Sequence, residues 1–275
     1  MRNIKLILEY DGTNYSGWQS QKNAVAIQDV VAQAIEKMVE EKATLVGASR
    51  TDAGVHALGQ VATFQTARTI PCDGFLKGLN NLLPEDIRIV GCEEASLDFH
   101  PIGSAKRKTY RYILGLGEVP SALWRERVWW VGPKLDLQTM EEASRHLIGE
   151  HDFKSFQGAD SDTRTTVRRL ETVIIEDAVK NSGPVGFGTH PPTRIRSEGI
   201  DPNPPPAFLT ASLTFTGTGF LKHMVRNIVG TLVDIGRVNK GLAPSDMKKI
   251  LEAKDRTKAG PTAPPHGLYL MHVEY

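Results

Sequence analysis

The residues with the most chemical potential lie in one run, Gly47-Ala48-Ser49-Arg50-Thr51-Asp52-Ala53-Gly54-Val55-His56-Ala57. A single carboxylate, Asp52, is flanked by a guanidinium, a hydroxyl, a small residue and a glycine. The run falls between two strand-like segments and is too polar and Gly-punctuated to continue either. That composition suits a loop presenting Asp52 into a cleft, where backbone can approach a ligand closely. The alternative is a turn in which Asp52 bonds its own backbone, as Asp before small residues and Gly commonly does. A carboxylate in a cleft can attack an anomeric carbon or act as a base. An aspartate is ionised for that work at neutral pH unless it is buried without partners.

Arg50 shares a face with Asp52 wherever the backbone between them is extended; otherwise it is a surface arginine in a salt bridge. Alternation in the strand-like stretch Thr109–Leu116 places Tyr110 and Tyr112 on one side and Thr109 and Arg111 on the other. Either tyrosine could be a platform for a base or a core aromatic. Arg226 and Lys222 lie beside an apolar stripe of Leu221, Met224, Val225, Ile228, Val229 and Leu232. That leaves Arg226 as a solvated flank or as a cation at a site. Basic residues cluster as Lys106, Arg107, Lys108 and Arg111; as Arg164, Arg168 and Arg169; and as Lys222, His223 and Arg226. Such groups give phosphate affinity and register with little sequence reading.

No cofactor signature is present: no G-x-x-x-x-G-K-[ST], no H-E-x-x-H, no G-x-S-x-G, and no G-x-G-x-x-G opening a helix after a strand. His146, Glu150 and His151 are explained by a helix end more simply than by a metal. Chemistry here is expected to need neither cofactor nor metal. Cys72 and Cys92 have no zinc spacing and no disulfide framework, so they read as small buried residues.

These groups need a scaffold. A chain of 275 residues buries about 70–75% of its unfolded surface at this size. Its net charge of +1 does not announce a nucleic-acid binder, so local clusters must carry that argument. No run of 18 apolar residues occurs, and a soluble cytoplasmic protein is expected. Residues 3–10 alternate as a strand, and Ile27, Val30, Val31, Ala34, Ile35, Met38 and Val39 recur at helical spacing over 26–41. Segments 43–48 and 60–65 read as strands, Phe75–Leu83 as a helix stopped by Pro84, and 87–91 as a strand. The order β-α-β-β-α-β is the split βαβ, ferredoxin-like pattern. The second half repeats it, with strands at 109–116, 170–175, 208–215 and 268–273 and helices at 137–148, 220–235 and 247–251. The expected class is α+β: two ferredoxin-like halves, 1–105 and 106–275, with mainly antiparallel sheets flanking a central cleft, a common place for a ligand site. The two sheets can pack side by side or join edge to edge. A Pro/Gly-rich insertion at 178–207, with Arg194 and Arg196, reads as a long loop.

The Asp52 run resembles the catalytic motif of the TruA-type tRNA pseudouridine synthases. Tyr10-Asp11-Gly12-Thr13-Asn14-Tyr15-Ser16-Gly17-Trp18-Gln19-Ser20-Gln21 is similar to the family's first signature, and 79–87 to its next segment. Lys108–Tyr112, Gly149–Phe156, Gly219–Gly230 and Ala259–Leu270 continue the resemblance in order along the chain. The resemblance implies Asp52 as the essential aspartate. It implies Arg50 holding the flipped nucleotide or its phosphate, and Tyr110 packing on the target base. It makes Arg226 the basic partner of Asp52. It further implies a cofactor-free homodimer that isomerises uridines of the tRNA anticodon stem-loop, at about positions 38–40. One departure stands out: Pro101-Ile102-Gly103 occupies the place where the family has a small residue, an arginine and a phenylalanine. That affects substrate choice more than chemistry. A non-catalytic tRNA-binding or folding protein on the same scaffold is the alternative, with a synthase for another uridine and a hydrolase as further readings.

Overall fold

The computed structural model describes residues 1–159, 163–177 and 210–275; the expected 178–207 loop, with Arg194 and Arg196, lies outside the described residues. The first half runs β1 (Arg2–Tyr10), α1 (Ile27–Val39), β2 (Val46–Gly47), β3 (His56–Thr66), α2 (Cys72–Leu82) and β4 (Ile87–Ala95). The second runs β5 (Arg107–Gly115), β6 (Trp129–Trp130), α3 (Leu137–Ser144), β7 (Gly149–Asp152), β8 (Val167–Asp177), β9 (Thr210–Gly217), α4 (Met224–Gly236), α5 (Asp246–Ala253) and β10 (Leu268–Glu274).

Local sequence accounts for most of this. Ile4, Leu6, Leu8 and Tyr10 alternate into the core, while Lys5 on the opposite face reaches Glu93 at 2.8 Å. α1 buries Ile27, Val31, Ala34, Ile35 and Val39 at helical spacing and stops at Glu40 in the left-handed region. α2 ends at Leu82, just before the Leu83-Pro84 pair, where proline disfavours helical backbone. α4 is buried around nearly its whole circumference, so it is a central helix and not a surface one.

Among the described residues the strands form one mixed, mostly antiparallel sheet in the order β4-β1-β3-β10-β5-β9-β8-β7, with β2 added to β3 and β6 to β5. The halves thus join edge to edge. At the seam β3 and β10 run parallel, with His56 opposite Tyr269 and Ala57 opposite Leu270. The pairing is short, and side chains reinforce it. The His56 and Tyr269 rings stack at 4.8 Å, and the Tyr269 hydroxyl donates to the Arg127 carbonyl at 2.8 Å. The Arg127 guanidinium grips both carboxylate oxygens of Asp11, tying the 122–130 segment to the first half.

Some boundaries differ from the sequence expectation. The strand at 43–48 shrinks to Val46–Gly47 because side chains take the preceding backbone groups: Glu36 accepts from the Ala43 amide and Gln28 donates to the Leu45 carbonyl. β3 begins at His56, so the chemically rich run ends inside a strand. The helix expected over 220–235 begins at Met224, because residues 221–224 close a turn and His223 is left-handed at φ 60°. β6 and β7 were not expected; Glu150-His151-Asp152 carries no apolar alternation and is strand only because it pairs with β8. His151 bonds the Ile148 carbonyl, and no metal-holding group of His, Cys, Asp or Glu occurs among the described residues. Cys72 and Cys92 are free and half-buried rather than fully buried, with burial pushing the Cys92 thiol up to about 12. No helix among the described residues is long and apolar enough to cross a membrane.

Candidate active site

The Asp52 loop is held from below by the N-terminal signature. After β2, the Ala48 amide donates to Val61, and then the side chain of Gln60 replaces the ladder: Nε2 donates to the Ser49 carbonyl at 2.7 Å and Oε1 accepts from the Ser49 amide at 3.2 Å. The Tyr10 hydroxyl meets Thr51 Oγ1 at 2.8 Å, and the Trp18 amide donates to the Thr51 carbonyl at 3.1 Å. Gly17 is required at this approach: its φ is +90°, and a Cβ would fall 2.5 Å from the Thr51 carbonyl oxygen. A turn from the Asp52 carbonyl to the Val55 amide then delivers the chain to β3. The Asp52 backbone makes this turn, while its carboxylate points elsewhere.

Asp52 Oδ2 accepts from Arg226 Nη1 at 3.0 Å, and His223 Nε2 lies 3.5 Å from the same oxygen. Oδ1 has no partner among the described residues. The Asp52 side chain is 25% exposed, so it is reachable from solvent yet mostly enclosed. Arg226 is clamped from behind: its Nε donates to the Ala263 carbonyl at 2.8 Å, and the Ala263 amide donates to the Arg226 carbonyl at 3.1 Å. The 259–264 segment that supplies this clamp is itself fixed. Arg256 donates to the Gly260 carbonyl, to Thr262 Oγ1 and to Asn227 Oδ1, and fully buried Asn227 donates to the Phe156 carbonyl. A guanidinium held on one edge by a carbonyl presents its other edge in a fixed direction.

Tyr110 and Tyr112 do share one face of β5, but tertiary contacts separate them. Tyr112 is fully buried and donates to the Pro264 carbonyl at 2.7 Å, so it anchors the C-terminal segment. Tyr110 lies beside Ser49 and Asp52, with the Phe220 ring edge-on at 4.9 Å. Burial pushes its hydroxyl up to about 12, so it stays protonated. Arg50 is exposed and makes no hydrogen bond or ion pair with any described residue.

The basic clusters divide. Arg107 pairs with Glu171 and Glu274, and Arg111 bonds Thr214, all on the face of β5 away from the tyrosines. Lys108 is on the tyrosine face, where its ammonium donates to the Ala48 carbonyl at 2.7 Å. Burial lowers its pKa to about 8. Lys106, Arg164, Arg169 and Lys222 remain exposed. At Pro101-Ile102-Gly103 the chain makes a turn whose Pro101 carbonyl accepts from Tyr275. Two contacts escaped the sequence reading. In sequence His223 is one basic residue among others, and only its i,i+3 spacing from Arg226 at a helix start signals the contact. Lys108 sits next to Arg107 in sequence, but it is Tyr110 that shares its strand face.

Fold and site together define an α+β protein that presents one arginine-paired carboxylate beside a buried tyrosine, at the junction of two half-sheets. The chain belongs to the tRNA pseudouridine synthase family, whose model matches residues 6–102 and 143–275. The tRNA pseudouridine synthase A of Acetivibrio thermocellus is 43% identical over 275 residues, covering 100% of both chains. The enzymes of the same name from Caldicellulosiruptor bescii and Geobacter sulfurreducens are 42% and 43% identical, again over 100% of each chain.

Proposed function

We propose that this enzyme isomerises uridine to pseudouridine in the anticodon stem-loop of tRNA, at about positions 38–40, with Asp52 as its catalytic carboxylate. Family membership carries the isomerisation of uridine in tRNA. The assignment to Asp52 rests on one observation: its Oδ2 is held by Arg226 at 3.0 Å while Oδ1 has no partner among the described residues. The reaction breaks the N1–C1′ bond and forms a C5–C1′ bond. One proton leaves C5 and one is taken up at N1, so atoms and electrons balance without a co-reactant. Asp52 acts on the ribose, by attack at C1′ or by abstracting a ribose proton. The uridine must be extruded and its freed base retained, at an unstacking cost of roughly a few kcal/mol. Tyr110 packs on that base and Arg50 takes a backbone phosphate; its exposed guanidinium, without a partner among the described residues, supports that role.

The same reading extends to the scaffold. Each half is ferredoxin-like, 1–105 and 106–275, supported by the matching spatial orders β4-β1-β3-β2 and β10-β5-β9-β8. The working form is a cytoplasmic homodimer whose subunits share the tRNA, as the family resemblance implies. Sedimentation of the free protein and of its tRNA complex checks the dimer.

The test is site-resolved pseudouridine mapping on unmodified tRNA transcripts with uridines in the anticodon arm, using the wild type beside Asp52→Ala. Conversion in that arm by the wild type alone is expected, with tRNA still bound by the variant. Turnover by Asp52→Ala sinks the residue assignment. Tight binding without conversion by the wild type favours a tRNA-binding protein on this scaffold.

A further inference from the structure

We propose that His223 is a positioning residue for Asp52: together with Arg226 it holds Oδ2, turns Oδ1 toward the cleft, and makes the carboxylate's activity sensitive to protonation of the imidazole. The inference rests on Asp52 being the catalytic group.

Three observations carry it. First, both contacts fall on one oxygen, Arg226 Nη1 at 3.0 Å and His223 Nε2 at 3.5 Å, while Oδ1 has no protein partner among the described residues. Arg226 donates to that oxygen and His223 Nε2 stands beside it; a second donor from the ring fixes the rotation of the carboxylate, which a single arginine contact does not. A 3.5 Å contact in a free enzyme is the kind that shortens when substrate closes the site. Second, the ring has a built seat. Gly158 lies against it, and a Cβ at that position would fall 2.7 Å from Nδ1; the Gly158 amide is itself fixed to the Lys222 carbonyl at 2.8 Å. Third, His223 adopts φ 60° at the start of α4, a conformation that a non-glycine residue holds against strain. Strained residues of this kind gather at functional sites, where the surrounding structure holds them.

The charges around the ring set its behaviour. Burial lowers its pKa, Asp52 opposes that, and Arg226, Lys222 and Arg256 add to it. The imidazole is therefore neutral at pH 7 and can donate Nε2–H to Oδ2. Once protonated it becomes a second cation on the oxygen that Arg226 already holds. That draws charge from the carboxylate and slows its chemistry, so the rate falls on the acid side of neutrality.

Single-turnover conversion of a tRNA transcript and tRNA binding are measured from about pH 5.5 to about pH 8.5 for wild type, His223→Gly, His223→Gln and Asp52→Ala. His223→Gly removes the donor and relieves the backbone strain. It is expected to slow conversion by roughly 10–100-fold while tRNA affinity moves less than about threefold. His223→Gln, which keeps an amide donor and does not titrate, is expected to recover part of that rate and to stay flat where the wild type falls. A wild-type rate and pH profile in both His223 variants overturns the proposal, as does a loss confined to tRNA affinity. If His223→Gly does not fold, the profile of His223→Gln decides. Turnover by Asp52→Ala is a separate failure, of the underlying assignment. An inactive Asp52→Ala with unaffected His223 variants refutes the inference alone.

Discussion

At the residue scale, the Asp52–Arg226 pair depends on the shape of the guanidinium as well as on its charge. Arg226 uses Nε on the Ala263 carbonyl and Nη1 on Asp52, two directions that a single ammonium cannot reproduce. Arg226→Lys is therefore expected to cut single-turnover conversion by roughly 100-fold with a small effect on tRNA affinity, read in the same transcript assay. Lys108 makes a different prediction. Its pKa in the folded protein, about 8, lies below that of an exposed lysine. Between about pH 8 and about pH 10.4 the unfolded chain then binds more protons than the folded one, so this residue's contribution to stability rises with pH there. Urea unfolding of wild type and Lys108→Met across that window should show the difference moving in favour of the wild type. A constant difference means that Lys108 is not held in a desolvated state.

At the scale of elements, the site depends on close backbone approaches between segments far apart in sequence. Gly230 on α4 meets the C-terminal segment so closely that a Cβ would lie 1.7 Å from the Pro261 carbonyl oxygen. Gly230→Ala must push residues 259–263 away, and with them the carbonyl that steers Arg226. Overpacking at a tight contact costs typically 1–3 kcal/mol, so about that loss of stability is expected in urea unfolding, together with lowered conversion. A variant with wild-type stability and rate places the C-terminal segment outside the site's support. The sheet itself illustrates how elements sort residues: alternation along β5 sends Lys108, Tyr110 and Tyr112 to the site face and commits Arg107 and Arg111 to ion pairs and hydrogen bonds on the other.

At the scale of the molecule, Asp52 comes before the β3–β10 seam in the chain, while Arg226, which holds it, and Tyr110, which lies beside it, come from later segments. The seam rests on a short parallel pairing and on the Asp11–Arg127 ion pair. Burial alone would raise the Asp11 pKa, but hydrogen bonds from Thr13 and the charge of Arg127 together lower it. A depressed carboxylate stabilises the fold above its unfolded pKa, and that contribution is lost as pH falls through the folded value. Asp11→Asn should therefore unfold more readily than wild type at pH 7, with the gap closing below about pH 4. Binding to tRNA should weaken linearly in log–log terms as salt rises, because exposed cations such as Arg50, Lys106 and Arg169 release counterions from phosphates. Affinity independent of salt is the outcome that argues against a phosphate-dominated interface.

The sequence by itself determined the order and type of most elements. β1, α1 and α2 are legible because their apolar residues recur at the strand or helix period and each is stopped by a local signal, such as the proline after Leu83. It also singled out the Asp52 run, whose residue types fit no regular element. It misjudged places where partners outvote pattern. The 43–45 backbone is taken by the side chains of Glu36 and Gln28, 149–152 is strand only beside β8, and α4 starts late because His223 turns left-handed. Periodicity carries no information about such partners. Tertiary structure alone decided that the half-sheets join edge to edge, that Tyr110 lies beside Ser49 and Asp52 while Tyr112 anchors Pro264, and that His223 shares an oxygen of Asp52 with Arg226. Each of those outcomes is a contact between residues distant in sequence, and only packing brings them together.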